Sequence, residues 1–327
     1  MLEISPLIDS IRLADSGPIK YQGFMLVQER SRRISRRGDP FLTLRLADSS
    51  AHIQAVLFSN HNSFALAADP EVIYVAVRGV IEKNDKYGTQ LRIDEIREVR
   101  DDDRERGFDE ELLQPTTPYD IDVLWDELIE MGEAIGDEKL REAVLALFTE
   151  NEEMIRRWPA ATRVHQAYLG GLLEHTVMVA RDALYFAQKY PELHHDLLLA
   201  GALLHDIGKL TEINARPPYD FTDDGRLIGH IVLGAQLARS FAEEYEVDEE
   251  MVKHLEHLIL SHHGKHEYGA ASLPKTREAL VLHHIDNIDA KLAIYRRHVT
   301  EDANPGSWTE RAWWFDNQSL WKGKLPE

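Results

Sequence analysis

No cysteine occurs anywhere in the 327 residues. That absence excludes a disulfide scaffold, a thiolate nucleophile and any zinc or iron–sulfur site held by cysteine. It also fits a reducing compartment, and a cytoplasmic protein is the expectation. Long apolar runs are missing as well. The longest, Leu197–Leu204, falls far short of the ~20 residues that a membrane span needs, so no membrane partner is expected. The first residues show no basic start followed by an apolar run, which reads as no signal peptide. Positive charge is scarce, with 37 Lys and Arg against 57 Asp and Glu and a net charge of −20. Averaged over the chain, that acidity argues against a nucleic-acid partner. What is plentiful is histidine, with 16 copies.

Neither feature is spread evenly. Residues 1–100 hold 14 Lys and Arg against 13 Asp and Glu, while the rest hold 23 against 44. Only His52 and His61 lie in the first hundred residues, and the other fourteen fall between His165 and His298. Two segments of different chemistry therefore meet near the polar run Asp101–Gly107 and the breakers Pro115 and Pro118. The expected organisation is a first domain over 1–100, a linker over 101–120 and a second domain over 121–327 ending in a tail.

The first segment alternates with a period of two. Leu42, Leu44 and Leu46 alternate with Thr43, Arg45 and Ala47, and Ile53, Ala55 and Leu57 follow a turn at Asp48-Ser49-Ser50. Val72–Ile81 and the stretch through Leu91 and Ile93 flank the hairpin signal Asn84-Asp85-Lys86-Tyr87-Gly88. A short helical patch, Ser63–Ala68, separates the third and fourth strands. Five strands with a helix in that place is the order of an OB-fold barrel. The first long loop is expected to carry Arg30, Arg32, Arg33, Arg36 and Arg37, and the last hairpin Lys83, Lys86 and Tyr87. Those two loops of an OB-fold grip single strands, which makes these residues the candidate nucleic-acid-binding set, with Tyr21, Phe41 and Tyr87 as stacking platforms. A solvated arginine loop and aromatics used only as core are the plainer alternative.

From Asp120 onward the period changes to about 3.6, with apolar stripes such as Val123-Leu124-Leu128-Met131 and Leu140-Val144-Leu147-Phe148. No strand pattern recurs, so an all-α second domain is expected. Its histidines come in order: His175, then His205-Asp206 closing the apolar run, then His230, His262-His263 and, with Asp286, the stretch His283–Asp289. Imidazole nitrogen and carboxylate oxygen suit divalent manganese, iron and zinc. His175, His205, Asp206 and Asp286 would serve one metal, and His230 and His262 a second that shares Asp206. Two such ions would activate a water and stabilise a phosphoryl displacement. Lys209, three residues after Asp206 on one helix face, would set a cation on the phosphate. Most remaining helical histidines, His194, His195, His254, His257, His266 and His298, read as surface or core residues. Asp289 reads as a partner of a ligand or a surface group. A buried Asp206 after so apolar a run demands a strong partner.

The ordered set His175, His205-Asp206, Asp286 resembles the HD superfamily of metal-dependent phosphohydrolases, and His230 with His262 resembles its two-metal branch. Gly170–Thr176, Gly229-His230-Ile231, Leu260–Gly264 and Ile285–Lys291, together with the OB-fold ahead of them, are similar to the YhaM-type 3′→5′ exoribonucleases. One departure is His165-Gln166, where that family often has two histidines. The resemblance implies an α+β two-domain chain, an OB-fold followed by an HD domain. It implies hydrolysis of single-stranded RNA, and of DNA in some members, from the 3′ end to nucleoside 5′-monophosphates. It implies His175, His205, Asp206, His230, His262 and Asp286 as ligands, Asp206, Lys209 and His263 as catalytic, with His263 a ligand or a phosphate contact. Two divalent ions are implied, manganese first, with Fe²⁺, Zn²⁺ or Co²⁺ as alternatives. A phosphohydrolase of nucleotides or cyclic dinucleotides is the alternative enzyme, since fold does not fix substrate. A nucleic-acid-binding module with a purely structural HD domain is the non-enzymatic one. The tail Trp308–Trp321 holds four of the six tryptophans, and packing on the HD domain or on a second copy in a homo-oligomer is its expected use.

Overall fold

Alternating apolar residues fold the N-terminal third into strands. The structure, a computed structural model, describes residues 6–323 except 36–37, 85–87, 163–165, 167, 215–216, 218, 303 and 305. A short helix α1 (Leu7–Leu13) precedes strand β1 (Ile19–Ile34), followed by β2 (Pro40–Ala47), β3 (His52–Phe58), helix α2 (Phe64–Ala68), β4 (Tyr74–Asn84) and β5 (Gly88–Glu98). The strands close in the order β1-β2-β3-β5-β4, with β3 and β5 parallel through Gln54–Gln90 and Ala55–Leu91. This is the OB-fold topology, with α2 between the third and fourth strands. Leu42, Leu44 and Leu46 point inward with Met25, Val75, Ile81 and Leu91, all buried in one core. Replacing the fully buried Leu44 by alanine would cost about 2–5 kcal/mol.

Three expectations for this unit change. Arg30, Arg32 and Arg33 lie within β1, paired to Leu44, Leu42 and Phe41 of β2, and not in a loop. The apolar partner strand extends the hairpin through the basic run. Arg32 and Arg33 are exposed there. Arg30 turns inward, its guanidinium donating to the carbonyl oxygens of Ala67 and Val72, which fastens α2 and the following turn to β1. Tyr21 is buried in the core, so it is not a surface platform. Lys83 lies in β4 and pairs with Asp15 at 2.7 Å. Arg36, Arg37, Lys86 and Tyr87 lie outside the described residues.

The acidic run after β5 is packed on the barrel. Asp103 has no exposed surface. It takes a two-pronged bond from Arg97 at 2.6 and 2.8 Å and a backbone bond from Arg100 at 2.9 Å. Phe108 and Leu113 bury against Phe24 and Leu26. By internal contacts the chain divides into one unit of Met1–Thr116 with Arg216–Asp220, and a second of Thr117–Ala215 with Phe221–Glu327.

The second unit is helical: α3 (Ile121–Glu133), α4 (Glu138–Glu150), α5 (Glu152–Arg157), α6 (Gly171–Lys189), α7 (His195–Leu204), α8 (Lys209–Glu212), α9 (Asp223–Leu227), α10 (His230–Glu244), α11 (Glu249–Ser261) and α12 (Arg277–Glu301). Part of the acidity is spent on starting them. Asp120, Asp137 and Asp248 accept backbone N–H bonds at the first turns of α3, α4 and α11, each worth about 0.5–2 kcal/mol. Leu197 through Leu204 are buried on every side of α7, which makes it the central helix. No helix among the described residues is long and apolar enough to cross a membrane.

The C-terminal stretch departs from the all-helical expectation. Trp308–Ala312 (β6) pairs antiparallel with Gln318–Trp321 (β7). Asp316 and Asn317 both take positive φ, 51° and 62°, a conformation these two residue types tolerate and that suits a tight hairpin. Trp321's carbonyl accepts from the Tyr295 hydroxyl of α12, so the hairpin packs on the helical unit, while Trp308, Trp313 and Trp314 remain exposed.

Candidate metal centre

Four helix ends and one helix middle converge on Asp206. His175 comes from the second turn of α6, His205 and Asp206 follow α7, His230 opens α10, His262 follows α11, and Asp286 lies within α12. The apolar faces of these helices bury the group. His175, His205, Asp206 and His262 are each exposed by 2% or less. Asp206 sits at the middle. Its Oδ2 is 3.4 Å from His175 Nε2 and 3.5 Å from His205 Nε2. Its Oδ1 is 3.6 Å from both His230 Nε2 and His262 Nε2. Asp286 Oδ1 lies 3.2 Å from His175 Nε2.

The ring orientations follow from the other nitrogen. Nδ1 of His205, His262 and His263 is hydrogen-bonded to the carbonyl oxygens of Ala202, Ile259 and Tyr268, at 2.8, 2.7 and 2.7 Å. Nδ1 of His175 meets Asp289 at 2.7 Å, and Nδ1 of His230 meets Glu212 at 2.8 Å. Carbonyls and carboxylates only accept, so each Nδ1 carries its hydrogen and each Nε2 is the ring atom left to face an ion. Asp289 is thus the partner of a candidate ligand. Glu212, which also accepts from the His230 backbone N–H at 3.0 Å, escaped the sequence reading. Gln166 donates to Asp289 at 3.1 Å, while His165 lies outside the described residues.

The donor set fits divalent cations. Asp206 Oδ1, His230 Nε2 and His262 Nε2 are buried with no hydrogen-bond partner, a cost of about 1–3 kcal/mol per group if nothing satisfies them. His175 Nε2 and His205 Nε2 face each other at 3.2 Å. Ligand atoms sharing one ion at ~2.1 Å stand roughly 3.0–3.5 Å apart, close to these separations. Two groups can each hold an ion: His175, His205 and Asp286, and His230, His262 and His263. Asp206 offers one oxygen to each.

Electrostatics point the same way. Burial alone would raise the Asp206 carboxyl, but Lys209 and His205 hold it well below its usual range. Asp286 is likewise held low against burial by its bond to His175. Burial, then the neighbouring His263 and His205, pushes His262 well down, and burial then His230 lowers His263. Both are neutral imidazoles, the form that binds metal. At His175 burial opposes, but Asp286 and Asp289 prevail and raise it to about 10. The first group therefore favours positive charge. Lys209 is buried, its Nζ 2.6 Å from Asp206 Oδ2, so its charge is committed to the carboxylate that the apolar helix could not otherwise carry.

Comparison with known proteins agrees with this arrangement. Residues 172–291 match the HD domain family. A protein of Bacillus subtilis (strain 168) named 3'-5' exoribonuclease YhaM is 34% identical over 299 residues, 91% of this chain and 93% of the relative. The protein of that name from Oceanobacillus iheyensis is 33% identical over 94% of this chain and 95% of the relative. That from Listeria innocua serovar 6a is 34% identical over 91% and 93%. With a five-stranded barrel ahead of a helical unit built around His205-Asp206, and these relatives matched over nearly their whole length, the chain belongs to the YhaM family of HD-domain proteins.

Proposed function

We propose that the protein is a metal-dependent 3′→5′ exonuclease that hydrolyses single-stranded RNA, with single-stranded DNA as a second substrate, to nucleoside 5′-monophosphates. The observation that carries this reading is the Asp206 carboxylate facing two imidazole groups at 3.4–3.6 Å, with its Oδ1 buried and unpartnered. The names of the relatives supply the substrate and direction. We assign His175, His205, Asp206 and Asp286 to one divalent ion, and Asp206, His230, His262 and His263 to a second, manganese being preferred. Bound ions would supply Lewis-acid activation of water and neutralise charge at phosphorus.

The chain's own groups have distinct tasks. Asp206 and Asp286 stay ionised and hold the two sets of donors at fixed spacing. Asp289 and Glu212 keep His175 and His230 turned inward. Lys209, paired with Asp206 at 2.6 Å, keeps that buried carboxylate ionised between the two sets of donors. The barrel domain binds the strand, with exposed Arg32 and Arg33 contacting phosphates, and the helical domain cleaves it. No covalent intermediate is required.

The test is product analysis on 5′-labelled single-stranded RNA and DNA, with Mn²⁺ and with chelator. A ladder shortened from the 3′ end that vanishes with chelator supports the reading. Intact oligonucleotides beside hydrolysed nucleotides or cyclic dinucleotides would replace it with a small-molecule phosphohydrolase.

A further inference from the structure

His175, His205 and His262 are sealed, whereas His263 is half-buried and His230 partly exposed. Their rings lie 5.1 Å apart, so substrate arriving at the metal centre on this side passes the segments that carry them. Both segments bear apolar surface that their own unit leaves uncovered. Leu227 and Ile228, immediately before Gly229-His230, are 83% and 45% exposed. Tyr268, whose carbonyl oxygen orients His263, is 54% exposed, and Lys265 Nζ stands 5.3 Å from its ring centroid.

These features match one ligand chemistry. An exposed aromatic ring with a cation over one face, on the segment after His263, and a small apolar ledge just before His230 are groups on which a planar heterocycle stacks. Their place beside the phosphate-binding centre limits that heterocycle to the base of the nucleotide whose phosphate is being attacked. The lysine adds attraction for the strand's own charge without reading any base edge. Stacking of this kind tolerates every base, as stepwise removal of successive nucleotides requires.

We propose that Leu227, Ile228, Lys265 and Tyr268 form a clamp for the terminal nucleobase, placing the last phosphodiester over the metal centre. This rests on the exonuclease reading. The experiment compares the full-length protein on two 5′-labelled RNAs in Mn²⁺, one with an ordinary 3′-terminal uridine and one whose last ribose has no base. The expected wild-type result is a kcat/KM for the first cleavage about 5- to 150-fold higher on the ordinary strand, the range that base–aromatic stacking gives. In Tyr268→Ala, and in a Leu227→Ala/Ile228→Ala double variant, that ratio should fall toward one. Tyr268→Phe should keep it, because the ring and not the hydroxyl is used. Equal cleavage of both strands by the wild type overturns the clamp while leaving the exonuclease in place. A ratio unchanged in the variants, with both rates reduced together, also overturns it and marks these residues as structural. Cleavage of neither strand by the wild type overturns the exonuclease reading and the clamp with it.

Discussion

Gly208→Ala tests how the second half of the metal centre is held. Gly208 has an ordinary helical backbone, φ −63°, so alanine brings no conformational penalty there and only space matters. A Cβ at this position would stand 2.1 Å from the His230 carbonyl oxygen, 2.5 Å from Gly234 N and 2.9 Å from Gly234 Cα. All three are backbone atoms of α10, so no side chain can swing aside. Restoring ordinary contact requires α10 to move by about 1 Å or more. Overpacking of that size costs about 1–3 kcal/mol, or roughly 2–12 °C in Tm for a unit of this length. The same shift carries His230 away from Asp206, now 3.6 Å from it. Metal affinity of the second group should fall by at least about tenfold, as when a ligand's support is lost. The assay is Mn²⁺ titration by calorimetry alongside thermal unfolding of the metal-free protein. Unchanged Tm and unchanged stoichiometry and affinity for both ions would refute the claim that this close approach positions His230.

Other expectations are as direct. Glu212→Ala should weaken Mn²⁺ binding by about 10–100-fold, because His230 loses the acceptor that orients its ring, and Glu212→Gln should recover much of it; equal affinities in calorimetry would count against that role. Arg32→Ala/Arg33→Ala should weaken single-strand binding and flatten its dependence on salt in a filter-binding or anisotropy titration, each lost phosphate contact lowering the slope by about 0.7. Arg97, ahead of the backbone bond from Arg100, outweighs burial and holds Asp103 down at about 2. Its folded value is thus depressed, so its contribution is complete above the unfolded value of about 3.9 and is lost as pH falls toward about 2. Asp103→Asn should therefore lower the stability of the barrel at neutral pH and shrink the difference from wild type near pH 2, as followed by circular dichroism.

The sequence showed most of this architecture because its signals were local. The period-two runs Leu42–Leu46 and Ile53–Leu57 became β2 and β3, each with a single apolar face to bury. The arginine run misled because polarity alone looked like a loop. Those residues are strand because β2 lies alongside, a tertiary fact. Asp101–Arg106 looked like linker for the same reason, although Asp103 is bound by Arg97 on the preceding strand. The terminal hairpin had a usable signal in Asp316-Asn317, masked by the run Trp313-Trp314-Phe315, which breaks the alternation. In the centre, His175, His205, Asp206, His230, His262, His263 and Asp286 could be listed from their order along the chain, and the fold brings all of them together. Their supports were harder. Asp289 follows Asp286 by one helical turn and could be suspected, but Glu212 meets His230 only through the approach of α8 to α10.

The central claim is that Asp206 joins two metal sites whose ions drive cleavage. The measurement that tests it most directly is Mn²⁺ stoichiometry and single-turnover cleavage of 5′-labelled RNA, on wild type and Asp206→Ala together. Wild type is expected to bind two ions per chain and to shorten the RNA from its 3′ end. Asp206→Ala is expected to lose high-affinity binding at both sites and all detectable cleavage, while still binding the single strand through the barrel. An Asp206→Ala protein that keeps two tightly held ions and near-normal turnover would contradict the account.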